Sequence, residues 1–288
     1  MMPRTILTML EGGAADIYCL TAAGALAQRQ NAHVLALLVD QDPGDILSGM
    51  AFDIGGGAYF TNELMDSLQN QLDARRAEAK KNFSDWRSTA GLPEVAAPPR
   101  TATASASMSI EIGSPQTVTR SYALVADLVV AALPTSKDID SSIRLEAALF
   151  DAGRPVLALP RKPITPFDRA PIAVAWNESA EAARALSAAL PFLRHAQRVL
   201  LLHAGPVAKA IGLDRVVSYL SWHGIEAQGE ELGDSDVPEQ LIVGKASEIG
   251  AAMLVMGAYS HSRAREFVFG GVTRYMMQSA QLPLLLAH

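Results

Sequence analysis

The chain has 288 residues and a formal net charge of −6; 49% of it is hydrophobic and only 6% aromatic. An acidic balance lacks the concentrated basic face that nucleic acid demands, no run approaches the roughly 18 apolar residues of a membrane span, and the single cysteine, Cys19, excludes an internal disulfide and a cysteine-based zinc site. The length fits two domains of ordinary size, and a core of alanine and short aliphatics suits helices packed on a parallel sheet.

The N-terminal run from Met1 to Glu11 carries one basic residue and a short apolar stretch ended by Glu11. That is a poor signal peptide and a good first strand, so a cytoplasmic protein is expected. An alanine-rich helix follows, with Cys19 as a small buried hydrophobe, and His33 to Val39 reads as a second strand. Residues 42–59 hold the Gly55-Gly56-Gly57 run; with no strand directly before it, the segment is read as a loop over the sheet edge rather than a phosphate cradle. Thr61 to Thr89 is predicted as a long polar helix with Leu64, Leu68, Leu72 and Phe83 near helical spacing. An edge strand is expected from Arg100 to Ser107, then a helix from Ile110 to Leu124, capped near Ser114 with Pro115 at its first position.

Apolar strands over 126–131 and 154–159 close the first half, and residues 160–171 contain four prolines that no helix or central strand sustains. The boundary is placed there, giving domains of residues 1–164 and 165–288. The second half repeats the first, with strands over 171–177, 198–203, 252–257 and 282–287 and a helix over 178–186. Strands alternating with helices imply right-handed crossovers and a parallel sheet in each half.

The last segment carries the sharpest signal. Gly257 ends a strand, and Gly270-Gly271-Val272-Thr273 opens a helix. A glycine turn beside a helix N-terminus with unpaired N–H groups builds an anion site, and a phosphate chain is its natural guest. The segment resembles the nucleotide-binding signature of the universal stress protein family, Gly-x2-Gly-x9-Gly-[Ser/Thr]. Gly257 takes the first position, Ser260 the second, His261 to Phe269 the nine-residue interval, and Gly270-Gly271 the closing pair. Two identities depart from the pattern, Ser260 and Gly271, and Thr273 is the hydroxyl nearest the missing one.

The resemblance implies an α/β fold of two tandem doubly wound domains, universal stress protein-like and akin to Rossmann and adenine nucleotide alpha hydrolase folds. Each domain would carry a five-stranded, mainly parallel sheet, and the two would pack as an intramolecular pseudo-dimer through the strands over 154–159 and 282–287, with a homodimer as a further option. It also implies an adenine nucleotide, ATP with Mg²⁺, lined by Gly257, Tyr259, Ser260, Gly270, Gly271, Val272 and Thr273. Beyond the carboxyl ends of the neighbouring strands, Ala175, Trp176, Asn177, His203 and Ala204 would face the same crevice. Asn177 stands where the family has an aspartate contacting adenosine. Trp176 is read either as an adenine platform or as core, and His203 as a satisfied crevice or core histidine.

In the first half, residues 131–150 match this signature in length but hold no glycine, and Pro134 stiffens the loop. Asp138, Asp140, Ser141 and Ser142 read as helix-start residues. The first half is therefore expected to keep the fold and to have lost the site. His261, Arg263 and Arg265 form a basic patch that either neutralises a triphosphate or faces solvent. No P-loop, nucleophile elbow, zinc-protease or complete dinucleotide fingerprint is present, so neither catalytic nor metal-ligating residues are assigned. The expected role is a stress-responsive nucleotide-binding regulator with an unnamed protein partner. Two alternatives stay open: a scaffold that binds no nucleotide, and a weak ATP-cleaving enzyme.

Overall fold

The computed structural model describes residues 3–47, 62–97, 102–135, 138–205, 212–258, 275–277 and 280–288. The short apolar runs become strands because a sheet covered on both faces buries both side-chain rows. The first half contains β1 (Thr5–Leu10), β2 (His33–Asp40), β3 (Ser105–Ile112), β4 (Leu128–Ala132) and β5 (Val156–Leu159). The second contains β6 (Pro171–Ala175), β7 (Arg198–His203), β8 (Ala227–Glu231), β9 (Met253–Gly257) and β10 (Leu284–Ala287). Their order is β3-β2-β1-β4-β5-β10-β9-β6-β7-β8, so the second half repeats the strand order of the first in mirror sequence about β5 and β10.

Every pairing is parallel except the one at the centre, where β10 runs antiparallel to β5 with Leu284 opposite Ala158 and Leu286 opposite Val156. The expected pair of five-stranded sheets is thus one ten-stranded sheet, joined through the strands named for that contact. Helices cover both faces. On one lie α1 (Asp16–Gln30), α2 (Asn62–Ala90), α5 (Ala180–Leu193) and α6 (Leu213–Trp222); on the other lie α3 (Pro115–Ala123), α4 (Ile139–Glu146), running on into a π-helical turn at Ala147–Asp151, and α7 (Pro238–Glu248). Each face has one apolar cluster extending across the junction. His288 adds a T-shaped contact with Phe150, ring centroids 4.7 Å apart, between the end of the chain and the first half.

Several elements differ from expectation for physical reasons. The edge strand was expected over 100–107 and lies at Ser105–Ile112, since its alternation continues in register with all eight residues of β2. That moves the helix start from Ile110 to Pro115: Gly113 has φ 154°, and the Ser114 side chain accepts from Thr117 N–H. The long helix stands at Asn62–Ala90, but only its second half is packed. Leu72, Ala79, Phe83 and Trp86 are buried, whereas Leu64 is 36% exposed. Trp86 lies against Gly24, where a Cβ would come within 2.8 Å of the indole, and this close approach sets the α1–α2 crossing. Cys19 is buried on α1 as expected, and burial pushes its thiol well above the usual range. The Gly55–Gly57 run lies outside the described residues.

Candidate functional site

Parallel strands place their carboxyl ends together, and a crevice opens where the chain leaves a central strand in opposite directions. In the second half that strand is β6, flanked by β7 and β9. Ala175, Trp176, Asn177, His203, Ala204 and Gly257 are brought together at these strand ends. Tyr259, Ser260, Gly270, Gly271, Val272 and Thr273 lie outside the described residues, as do His261, Arg263 and Arg265.

Trp176 N–H donates to Leu202 O at 2.8 Å, which carries the β6–β7 pairing one residue further. The Trp176 carbonyl lies 2.9 Å from His203 Nδ1. A carbonyl only accepts, so Nδ1 holds the proton, and in the neutral ring Nε2 is left as a bare acceptor. His203 is 8% exposed, and its Nε2 has no hydrogen-bond partner among the described residues. The same is true of the Trp176 indole Nε1, a buried donor. Trp176 does pack against the core, as one reading of it required, yet it brings an unpaired polar atom with it. His203 differs from the satisfied histidine expected there.

Asn177 is used locally. Its Oδ1 accepts from the Ser179 hydroxyl at 2.8 Å, and that hydroxyl in turn accepts from Ala182 N–H at 3.1 Å to cap α5. Gly257 also has a different reason from the sharp turn expected of it. Its φ is not in the left-handed region, and a Cβ there would meet the Ala182 nitrogen at 2.5 Å and Glu181 Cβ at 2.9 Å. The glycine is required because the first turn of α5 lies directly over the end of β9.

The equivalent crevice in the first half is filled by its own side chains. The Asp16 carboxylate accepts from the backbone N–H groups of Glu11, Gly12 and Gly13 at 2.8, 3.0 and 3.3 Å, which occupies the loop donors; burial raises the pKa of this carboxyl while those bonds oppose the rise. Glu11 pairs with Arg161 through two bonds of 2.5 and 2.9 Å and accepts from Ser141 Oγ. Arg144, 3% exposed, donates to Leu10 O at 2.8 Å. Asp138 caps α4 through Ser141 N–H, the helix-start role expected of it. From α2, Arg75 and Arg76 reach Asp40, a fully buried carboxylate at the end of β2, at 2.9 and 2.5 Å. Arg75 also donates to Glu11 O, and its stem fills the space where a Cβ on Gly12 would lie. Arg75 and Asp40 were missed from sequence because their meeting depends on how the long crossover helix α2 packs over the end of β2.

Residues 221–288 match the model of the universal stress protein family. No curated protein matches the chain. Among solved structures, a universal stress protein from Archaeoglobus fulgidus DSM 4304 is similar in fold, with a TM-score of 0.71 at 15% identity over 98% of this chain and 95% of that one. A functionally unknown protein from Pseudomonas aeruginosa PAO1 gives 0.56 at 14% identity, covering 99% and 92%. A universal stress protein from Archaeoglobus fulgidus, solved in complex with dAMP, is 25% identical over 41% of this chain and 98% of its own, with a TM-score of 0.33. Fold and crevice define a doubly wound α/β protein whose two halves form an intramolecular pseudo-dimer. The universal stress protein family model matches its C-terminal segment, residues 221–288, and the fold of a solved universal stress protein spans its length.

Proposed function

We propose that the second half binds one adenine nucleotide per chain at the ends of β6, β7 and β9, and that the first half is a closed companion that binds none. The observation that carries this reading is the asymmetry between the two crevices. In the first, carboxylates and guanidiniums satisfy one another and the loop N–H groups are taken by Asp16. In the second, two buried polar atoms at the floor have no partner among the described residues. Leaving a buried polar group unpaired costs about 1–3 kcal/mol, so a ligand that pairs both recovers that cost. The role is binding rather than turnover, with the nucleotide shifting the population of conformations or assemblies of a stress-responsive regulator.

Calorimetry with MgATP and with dAMP on the full-length protein tests it. The expected result is one site per chain; two sites would contradict the closed first half. No binding of either nucleotide would overturn the proposal and favour a scaffold acting through protein contacts. A steady-state phosphate-release assay addresses turnover, which on this reading stays at background.

A further inference from the structure

The ten-stranded sheet ends on β3 at one side and on β8 at the other, and the two ends are finished differently. Thr5 with His33 and Pro171 with Arg198 open equivalent ladders in the two halves, so Val34 with Ala106 corresponds to Val199 with Ala227. At Ala106 the outer side of the strand is taken. Its N–H donates to Pro93 O and its carbonyl accepts from Val95 N–H, both at 3.0 Å, in a parallel bridge that sets Glu94 beside it. The first half thus covers part of its own edge with a short extended segment. On β8, Leu232 N–H bonds to His203 O, so by the alternation of a parallel ladder Gln228 and Glu230 also turn their backbone groups toward β7. Ala227, Gly229 and Glu231 turn theirs outward, and none of the three has an outer backbone partner among the described residues. Gly229 and Glu231 are exposed and Ala227 is half-buried. A Cβ on Gly229 would meet Leu213 Cβ at 2.8 Å, so the start of α6 keeps the middle of this edge free of a side chain.

An open row of N–H and C=O groups is a template for another extended chain, and the side chains around it decide which chain fits. Residues 226–239 hold six carboxylates and no Lys, Arg or His. Lys245 folds back on Glu230 at 2.8 Å. Glu226, Glu231, Asp234 and Asp236 are exposed and form no ion pair among the described residues. A second copy would bring the same carboxylates against this row, and like charges across paired strands are destabilising. A segment carrying Lys or Arg meets opposite charge instead, which speeds encounter and rejects acidic competitors. We propose that the outer edge of β8 is a docking site for an extended, basic segment of a partner protein, which adds as a further strand through Ala227, Gly229 and Glu231, as residues 93–95 do at Ala106.

The test uses the full-length protein and short peptides blocked at both ends: one alternating Lys with Thr, one alternating Glu with Thr, and one alternating Lys with Pro. The Lys-Pro peptide keeps the charge but lacks the N–H groups that strand pairing needs. The Lys-Thr peptide should bind and should slow hydrogen exchange at the amides of Ala227, Gly229 and Glu231, which face away from β7. The other two should bind more weakly and leave those amides unprotected. Ala227→Pro removes one outward donor and no bond to β7, so it should weaken the Lys-Thr peptide about threefold to tenfold. Glu231→Lys should weaken it about twofold to fivefold. Thermal unfolding reports whether each variant is folded, and the comparison of peptides on wild type stands even if one is not. No binding of the Lys-Thr peptide, equal binding of the Lys-Pro peptide, or binding without protection of these three amides would overturn the proposal, the carboxylates then serving only to keep other strands off the edge. Protection of the same amides in the protein alone, rising with its concentration, would overturn it by giving the edge to a second copy.

Discussion

At the residue scale, Gly257 and Asp40 show how one position is fixed by what lies across from it. A Cβ on Gly257 has to displace backbone of α5 rather than a flexible side-chain end, so Gly257→Ala should destabilise the protein by about 1–3 kcal/mol in denaturant titration, with or without nucleotide. Unchanged stability would remove the packing role. Asp40 is buried under two guanidiniums that are each about a quarter exposed. Breaking a buried pair by deleting one partner costs about 3–5 kcal/mol, and because both arginines reach solvent Asp40→Ala should fall near the lower end. Arg75→Ala should cost less than Asp40→Ala, since Arg76 still holds the carboxylate; equal losses would contradict a shared clamp. Gly257 was legible as important from its place in a signature, but its reason was not, because the signature carries no information about the helix packed above it.

The element scale is where alternation and pairing compete. β3 was legible as an edge strand from its small, alternating residues, but its extent was set by β2, which pairs all eight of its residues. β8, Ala-Gln-Gly-Glu-Glu, was not legible at all, because an edge strand half open to water shows no apolar rhythm and exists through its register with β7. His33 ties β2 to β3, with Nδ1 and Nε2 at 3.0 and 2.9 Å from the hydroxyls of Ser105 and Ser107. Partial burial lowers its pKa below the ordinary 6.5. The unfolded chain therefore takes up the proton first, so stability from the neutral ring is present above the unfolded value and is lost as the pH falls through the folded one. The urea midpoint of wild type should drop further between about pH 7 and about pH 5 than that of His33→Gln. Parallel pH profiles would mean His33 is not the titrating group.

On the scale of the whole molecule, the β5–β10 pairing makes two domains one sheet. Val156 to Leu159 and Leu284 to Leu286 are fully buried there, and a free apolar edge strand is a template for pairing with another chain. A fragment of residues 165–288 should accordingly self-associate, read as a dimer or larger species by light scattering; a stable monomer would show that β10 does not need its partner. The sequence by itself determined the α/β class and the duplicated order of elements, because both are written in local periodicity and composition, whereas the pair of strands that meet was implied by the family resemblance. Tertiary structure alone decided how the first crevice is filled by its own side chains. That outcome depends on where α2 places Arg75 and Arg76 and on Arg161 returning to Glu11 across much of the chain. These are long-range distances, and no local pattern encodes them.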